Sequence, residues 1–237
     1  MIELAENIVD KESVIDILTL RYARKLQSSL TKLSWNDFKS NNFEPSVNEI
    51  ENLIQNNIKK SISDPDSKSI SVALSGGVDS SLVLALLKKS LPNSKINSFS
   101  IKFSNSIDES EQAAKIAESL DVEHKTILLD NYLLELPKAI SITKQPFWDL
   151  HWYHIVKKAK TQSNYLISGD GGDELFGGYT FRYKKYLTLV NQNSTPIQRI
   201  KAYLECHRRD WVKDQDKIFG TNIKFSWEKI YEVFIPY

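Results

Sequence analysis

One stretch narrows the possible folds more than any other. Ile70-Ser71-Val72-Ala73-Leu74 is apolar and partly β-branched, and it runs directly into Ser75-Gly76-Gly77-Val78-Asp79-Ser80-Ser81 and then Leu82-Val83-Leu84-Ala85-Leu86-Leu87. That order is a strand, a glycine turn bearing hydroxyls, and the start of a helix. Backbone N–H groups and the positive helix end converge there, which favours a bound phosphate. A carboxylate inside such a turn, Asp79, repels phosphate unless a cation lies between them, so the expected ligand is a magnesium–phosphate group.

The same alternation continues down the chain. Strands are predicted at 96–103, 124–129 and 164–167, with helices at about 109–120, 131–143 (restarting near Pro137) and 148–160. Ahead of them, Val14, Leu18, Tyr22, Leu26 and Leu30 recur every four residues and predict an amphipathic helix over 13–30. Ser46-Val47-Asn48-Glu49 matches a capping box and predicts a helix over about 46–61. Ser63 to Ser67 reads as a turn. After about residue 190 the pattern becomes helical, with Pro196 opening a polar helix. Repeated strand–helix units give a parallel sheet with helices on both faces, because parallel strands need crossover connections. The predicted fold is therefore α/β, a parallel twisted sheet with helical N- and C-terminal segments. The predicted divisions are 1–45, 46–190 and 191–237.

Glycine usage marks the site. The chain has 8 glycines, against roughly 16 for an average ~7% usage. Seven of the 8 fall at 76–77 and 169–178; the other is Gly220. Glycine this sparse is expected where backbone approaches a neighbour or takes positive φ. The second stretch is Ser168-Gly169-Asp170-Gly171-Gly172-Asp173-Glu174-Leu175-Phe176-Gly177-Gly178-Tyr179. Both stretches begin where a predicted strand ends, and ligands of parallel sheets sit beyond strand carboxyl ends. Both are thus expected at one crevice, with the acids of the second suited to a metal or a substrate amine.

Bulk properties exclude other classes. A net charge of +1 offers no broad basic face for nucleic acid. One cysteine, Cys206, allows neither an intrachain disulfide nor a cysteine metal cluster. The absence of a signal pattern and of a long apolar run predicts a cytoplasmic protein with no membrane partner. The first glycine stretch lacks the lysine of a Walker-type phosphate loop, and neither stretch fits G-x-G-x-x-G.

Ser75 to Ser81 resembles the pyrophosphate loop of the N-type ATP pyrophosphatases (PP-loop proteins), and Ser168 to Tyr179 resembles the second signature of the asparagine synthetase B family. Gln145-Pro146-Phe147-Trp148-Asp149 and Ser98-Phe99-Ser100-Ile101-Lys102-Phe103 resemble further segments of that family, and the likeness covers roughly residues 46–187. The resemblance implies ATP and Mg2+ as cofactors, with aspartate and ammonia as substrates. Aspartate would be adenylated on its side chain, releasing pyrophosphate, and ammonia would then displace AMP. Leu74 and Ile101 match adenosine contacts, and Ser168 and Gly169 match a ribose or nucleotide contact. Ser75, Gly76, Gly77, Asp79, Ser80 and Ser81 match the phosphate grip. Asp79 and Asp173 would share magnesium. Asp170 stands where the family often has Glu, at the forming acyl-adenylate; with Glu174 it joins the catalytic candidates, while Asp149, Asp170, Gly171 and Gly172 are expected at the substrate.

Two departures accompany the likeness. The start, Met1-Ile2-Glu3, does not match the family's glutaminase domain, so free ammonia, a separate glutaminase subunit or another amine is expected. The family's later arginine- and aspartate-containing segment is replaced by Cys206 to Asp216. Lys201, with Arg199 beside it, is the candidate for the lysine that steadies the adenylation transition state, and both also read as solvated helix charges. Phe147, Trp148, Trp152 and Tyr153 read as helix packing, His151 and His154 lack a third zinc ligand, and His124 reads as structural. Alternative functions are a β-lactam- or peptide-bond-forming relative, an RNA-modifying pyrophosphatase disfavoured by the charge, and a non-catalytic ATP-binding subunit.

Overall fold

The strand predicted before the first glycine turn lies at the heart of a four-stranded sheet. The computed structural model describes residues 10–20, 44–62, 69–104, 109–143, 151–207, 214–221 and 226–235. The predictions for 21–30, 63–67, Gln145 to Asp149 and Arg208 to Lys213 lie outside the described residues. Two compact units divide the chain, Glu44–Gly178 and Met1–Phe43 with Tyr179–Tyr237.

Within Glu44–Gly178, β1 (Ser69–Ala73), β2 (Lys95–Phe103), β3 (Glu123–Leu129) and β4 (Leu166–Ile167) pair in parallel in the order β3-β2-β1-β4. The connecting helices are α3 (Val78–Ser90), α4 (Ser110–Ser119), α5 (Leu136–Thr143, after a 3-10 turn at Tyr132–Glu135) and α6 (His151–Ala159). Ahead of β1 stands α2 (Val47–Ser61).

Alternation along β1 decides which helix covers which face. Ile70, Val72 and Leu74 are buried against Leu84 and Leu87 of α3 and Ala113 and Ala117 of α4, with Ile58 of α2 in the same core. Ser71 points to the opposite face, where its hydroxyl reaches the Ala159 carbonyl of α6 at 3.5 Å. Helices therefore cover both faces, as right-handed crossovers require when β1, β2 and β3 advance one way and β4 returns to the far side of β1. The capping box at α2 is formed: the Ser46 N–H donates to Glu49 Oε2 at 2.8 Å, and the Glu49 N–H donates to Ser46 Oγ at 3.3 Å. Near Pro137 the backbone changes from 3-10 to α geometry, where a restart is predicted.

The other unit holds α1 (Lys11–Leu20), α8 (Thr180–Leu189), α9 (Pro196–Cys206), α10 (Gln215–Phe219) and α11 (Trp227–Phe234). Pro196 opens α9 as predicted, and Thr195 and Gln198 close a second capping box there. Lys185 of α8 donates to the Glu205 carbonyl at 3.0 Å, and Tyr203 of α9 meets Phe234 of α11 with ring centres 5.7 Å apart. Among the described residues no helix is long and apolar enough to cross a membrane.

Candidate active site

The strand order places a switch point between β1 and β4. Crossovers leave β1 toward β2 on one side and enter β4 on the other, so their carboxyl ends open a crevice between diverging helices. Leu74 and Ser75 leave β1 there, and Ser168 and Gly169 leave β4 beside them. Both glycine loops thus start at the same crevice.

The first loop turns on Gly76, whose φ of +82° lies in the left-handed region. A Cβ there would stand 3.1 Å from the Ala113 nitrogen and 3.2 Å from Gln112 Cγ, so the loop also rests on the first turns of α4. Gly77 then caps α3 without a side-chain hydrogen bond, leaving the first-turn N–H groups of α3 without that partner. Within the loop, the Ser75 N–H donates to Ser80 Oγ at 3.2 Å and the Gly77 N–H donates to Ser75 Oγ at 3.3 Å. Bonds this long are weak. They mark two backbone donors that an anionic oxygen would bind more strongly.

The second loop is pressed onto the first. A Cβ on Gly169 would lie 2.5 Å from the Ser80 nitrogen and 2.7 Å from the Asp79 carbonyl carbon, backbone against backbone. On Gly172 it would lie 2.6 Å from the Asp79 carboxylate carbon. On Gly178 it would overlap Asp173 Oδ1. Glycine at these positions lets the loop lie flat on the start of α3 and gives both aspartate side chains their room. Gly171, with φ of +92°, makes the turn into α7 (Gly172–Phe176), and nothing stands near its missing Cβ. Glu174 lies exposed on α7.

A cleft of ≈ 340 Å³ opens above these loops, within the ~300–1,000 Å³ range usual for small-molecule sites. Its floor includes Leu74, Ser75, Asp79, Ser80, Ser168, Gly169 and Asp170. Ser100, Ile101 and Phe103 at the end of β2 extend it to one side, with Glu109 and Ser110 at the start of α4. His151, Trp152 and Ile155 of α6 form the facing wall. Trp152, read from sequence as helix packing, thus lines the cleft. Its neighbour Tyr153 instead donates to Glu135 Oε2 at 2.9 Å, and Lys157 donates to Glu135 Oε1 at 2.6 Å. These bonds hold the Glu135 carboxyl below its ordinary range and tie α6 to the 3-10 turn.

Ser100 is fixed from behind by His124. The imidazole lies between Ser98 Oγ, 2.9 Å from Nδ1, and Ser100 Oγ, 3.0 Å from Nε2. Burial lowers its pKa, favouring the neutral ring. Lys201 belongs to the other unit, where its ammonium sits 5.3 Å from the centre of the Tyr231 ring. Asp149 lies outside the described residues.

Among the described residues, no three His, Cys, Asp or Glu side chains gather closely enough to enclose a metal ion. Magnesium does not need such a cage; it binds one or two carboxylates and fills its octahedron with phosphate oxygens and water. Asp79 and Asp173, carried by the two loops, fit that donor chemistry.

The family model for asparagine synthase matches residues 50–231 of this chain. The chain belongs to the asparagine synthase family. Over 137 residues it is 30% identical to asparagine synthetase [glutamine-hydrolyzing] 1 of Bacillus subtilis, a match covering 56% of this chain and 21% of that protein. Over 126 residues it is 26% identical to a putative asparagine synthetase [glutamine-hydrolyzing] of Mycobacterium bovis, covering 51% and 19% respectively. The matched stretches thus span about a fifth of those relatives. Among solved structures, an NH3-dependent NAD synthetase from Campylobacter jejuni aligns over 80% of this chain and 93% of its own, at 17% identity and a TM-score of 0.41. An NMN synthetase from Francisella tularensis aligns over 77% and 89%, at 18% identity and a TM-score of 0.42. The parallel sheet and the family match together make this an α/β domain of the asparagine synthase family.

Proposed function

We propose that this chain is an ATP-dependent, AMP-forming amide synthetase that acts on the side-chain carboxylate of aspartate. The observation that carries this reading is the seating of the Asp79 carboxylate on Gly172, which joins the two loops at the cleft floor. A triphosphate lying there meets the α3 N-terminus, the Ser75 and Gly77 N–H groups and the serine hydroxyls at one end. The nucleoside extends over Leu74 and Ile101.

The chemistry has two steps. An aspartate carboxylate oxygen attacks the α-phosphorus, forming an O–P bond while the bond to the pyrophosphate oxygen breaks. Ammonia then attacks the activated carbonyl carbon; the carbon–oxygen bond to AMP breaks and the nitrogen loses a proton, giving asparagine. Donors of the first loop stabilise charge on the departing pyrophosphate and hold the phosphorus in line. Asp79 and Asp173 are the residues that would hold magnesium, which neutralises phosphate charge when bound. Asp170, which is exposed and lines the cleft, is the residue this reading assigns to the incoming amine. Ammonia is the amine of this reading, and the reaction belongs in the cytoplasm.

Product analysis tests this reading. With ATP, aspartate, ammonia and magnesium, AMP, pyrophosphate and asparagine are expected in equal amounts. Formation of ADP would refute it, and an aspartate-derived amide that forms without ammonia would identify another amine.

A further inference from the structure

Three carboxylates line the cleft, and one of them belongs to neither glycine loop. Glu109 stands at the N-cap of α4, just beyond the carboxyl end of β2. Its carbonyl accepts the Ala113 N–H at 3.1 Å, and that nitrogen lies 3.1 Å from where a Gly76 Cβ would be. The first turn of α4 therefore leans on the phosphate loop from the β2 flank, while Gly172 meets Asp79 from the β4 flank. Glu109 is exposed, and its carboxylate takes no side-chain partner among the described residues.

A free carboxylate beside a phosphate loop opposes the ligand's charge unless it meets hydrogen-bond donors or a cation. Its neighbours on the wall, Ser100, Ile101, Phe103 and Ser110, bring no positive charge. A ribose supplies two adjacent hydroxyl donors, and a carboxylate can accept both. The local order is also suited to this: strand, glycine turn, helix, adjacent parallel strand, acid beyond its end. In dinucleotide-binding α/β sheets an acid in that place takes the ribose hydroxyls.

We propose that the Glu109 carboxylate accepts hydrogen bonds from the ribose hydroxyls of ATP and so selects ribonucleotides over deoxyribonucleotides. The proposal rests on the reading of the cleft as an ATP site. Phosphates bind between β1 and β4, the sugar lies toward β2, and Glu109 closes that side.

Equilibrium binding of ATP, 2′-deoxy-ATP and 3′-deoxy-ATP to the full chain tests it, using the unaltered protein and the variants E109Q and E109A, each shown folded by thermal denaturation. The unaltered chain is expected to prefer ATP over either deoxy analogue by about 10- to 100-fold, the usual effect of a hydrogen bond to a charged group. E109A is expected to weaken ATP binding most and each deoxy analogue, which keeps one hydroxyl donor, distinctly less, so that the preference collapses; E109Q, which keeps one acceptor, falls between. Equal weakening of all three nucleotides, or an unchanged preference in both variants, overturns the proposal while leaving the ATP site intact. No ATP binding by the unaltered chain overturns the ATP reading itself, and this proposal with it.

Discussion

Replacing Gly169 by alanine perturbs the contact between the two loops at its tightest point. The added methyl would meet the Ser80 nitrogen at 2.5 Å, the Asp79 carbonyl carbon at 2.7 Å and Ser80 Cα at 2.9 Å. Comfortable heavy-atom contacts are about 3.5–4.0 Å, so roughly 1 Å of separation must open between two backbones. No flexible side chain is available to absorb that shift. Overpacking of this kind costs about 1–3 kcal/mol, and a displacement of about 1 Å at a reacting centre reduces turnover about 100-fold. Gly220→Ala serves as the control, since it lies outside both loops and nothing stands near its missing Cβ; its cost is the positive-φ backbone alone, about 1–3 kcal/mol. Denaturant unfolding gives the stability of both variants, and nucleotide binding with initial rates gives function. G169A is expected to lose ATP affinity and turnover well beyond the loss in G220A at comparable stability. Equal function in the two variants would refute the packing of the second loop on α3.

Three further outcomes follow from the same geometry. Asp79→Asn is close to isosteric and is expected to melt near the unaltered protein while amide formation falls about 100-fold or more, measured by initial rates at saturating magnesium. His124 has a lowered folded pKa, so the unfolded chain binds the extra proton first; stability is expected to be full above the unfolded value of about 6.5 and to fall as pH drops toward the lower folded value. Denaturant unfolding from pH 8 to 5 checks this, and H124Q is expected to remove that part of the slope. Glu135 has a lowered carboxyl pKa from its bonds to Lys157 and Tyr153, so its contribution is present above about pH 4.3 and is lost on further acidification. E135Q is expected to flatten the acid limb slightly, because the half-buried carboxylate is still screened by solvent.

Local signals carried much of the fold. Ser46 and Glu49 announced a helix start through side-chain chemistry confined to one turn, and Ile70 to Ser81 announced a strand, a turn and a helix through short-range pattern. The crowding of glycine at 76–77 and 169–178 pointed to two backbones in close approach, and Gly169 against Ser80 is that approach. Residues whose role depends on distant packing were not legible. The periodicity of α6 shows that one face is apolar but not that its first turn ends at a cleft, so Trp152 read as packing and His151 as an unsupported zinc ligand. Glu109 carries no signal of its own in the sequence, because its place on the cleft wall depends on how α4 folds back over the sheet. The clasp of His124 by Ser98 and Ser100 spans two strands brought into register by the β2–β3 crossover, and no spacing within either strand announces it.

The central claim is that the paired loops grip pyrophosphate while an acyl-adenylate forms. Exchange of labelled pyrophosphate into ATP, measured with magnesium and aspartate and without ammonia, isolates that half-reaction. The expected result is exchange that requires aspartate and disappears in both Asp79→Asn and Asp173→Asn. Exchange that persists in these variants, or its absence from the unaltered, metal-replete protein, would contradict the account.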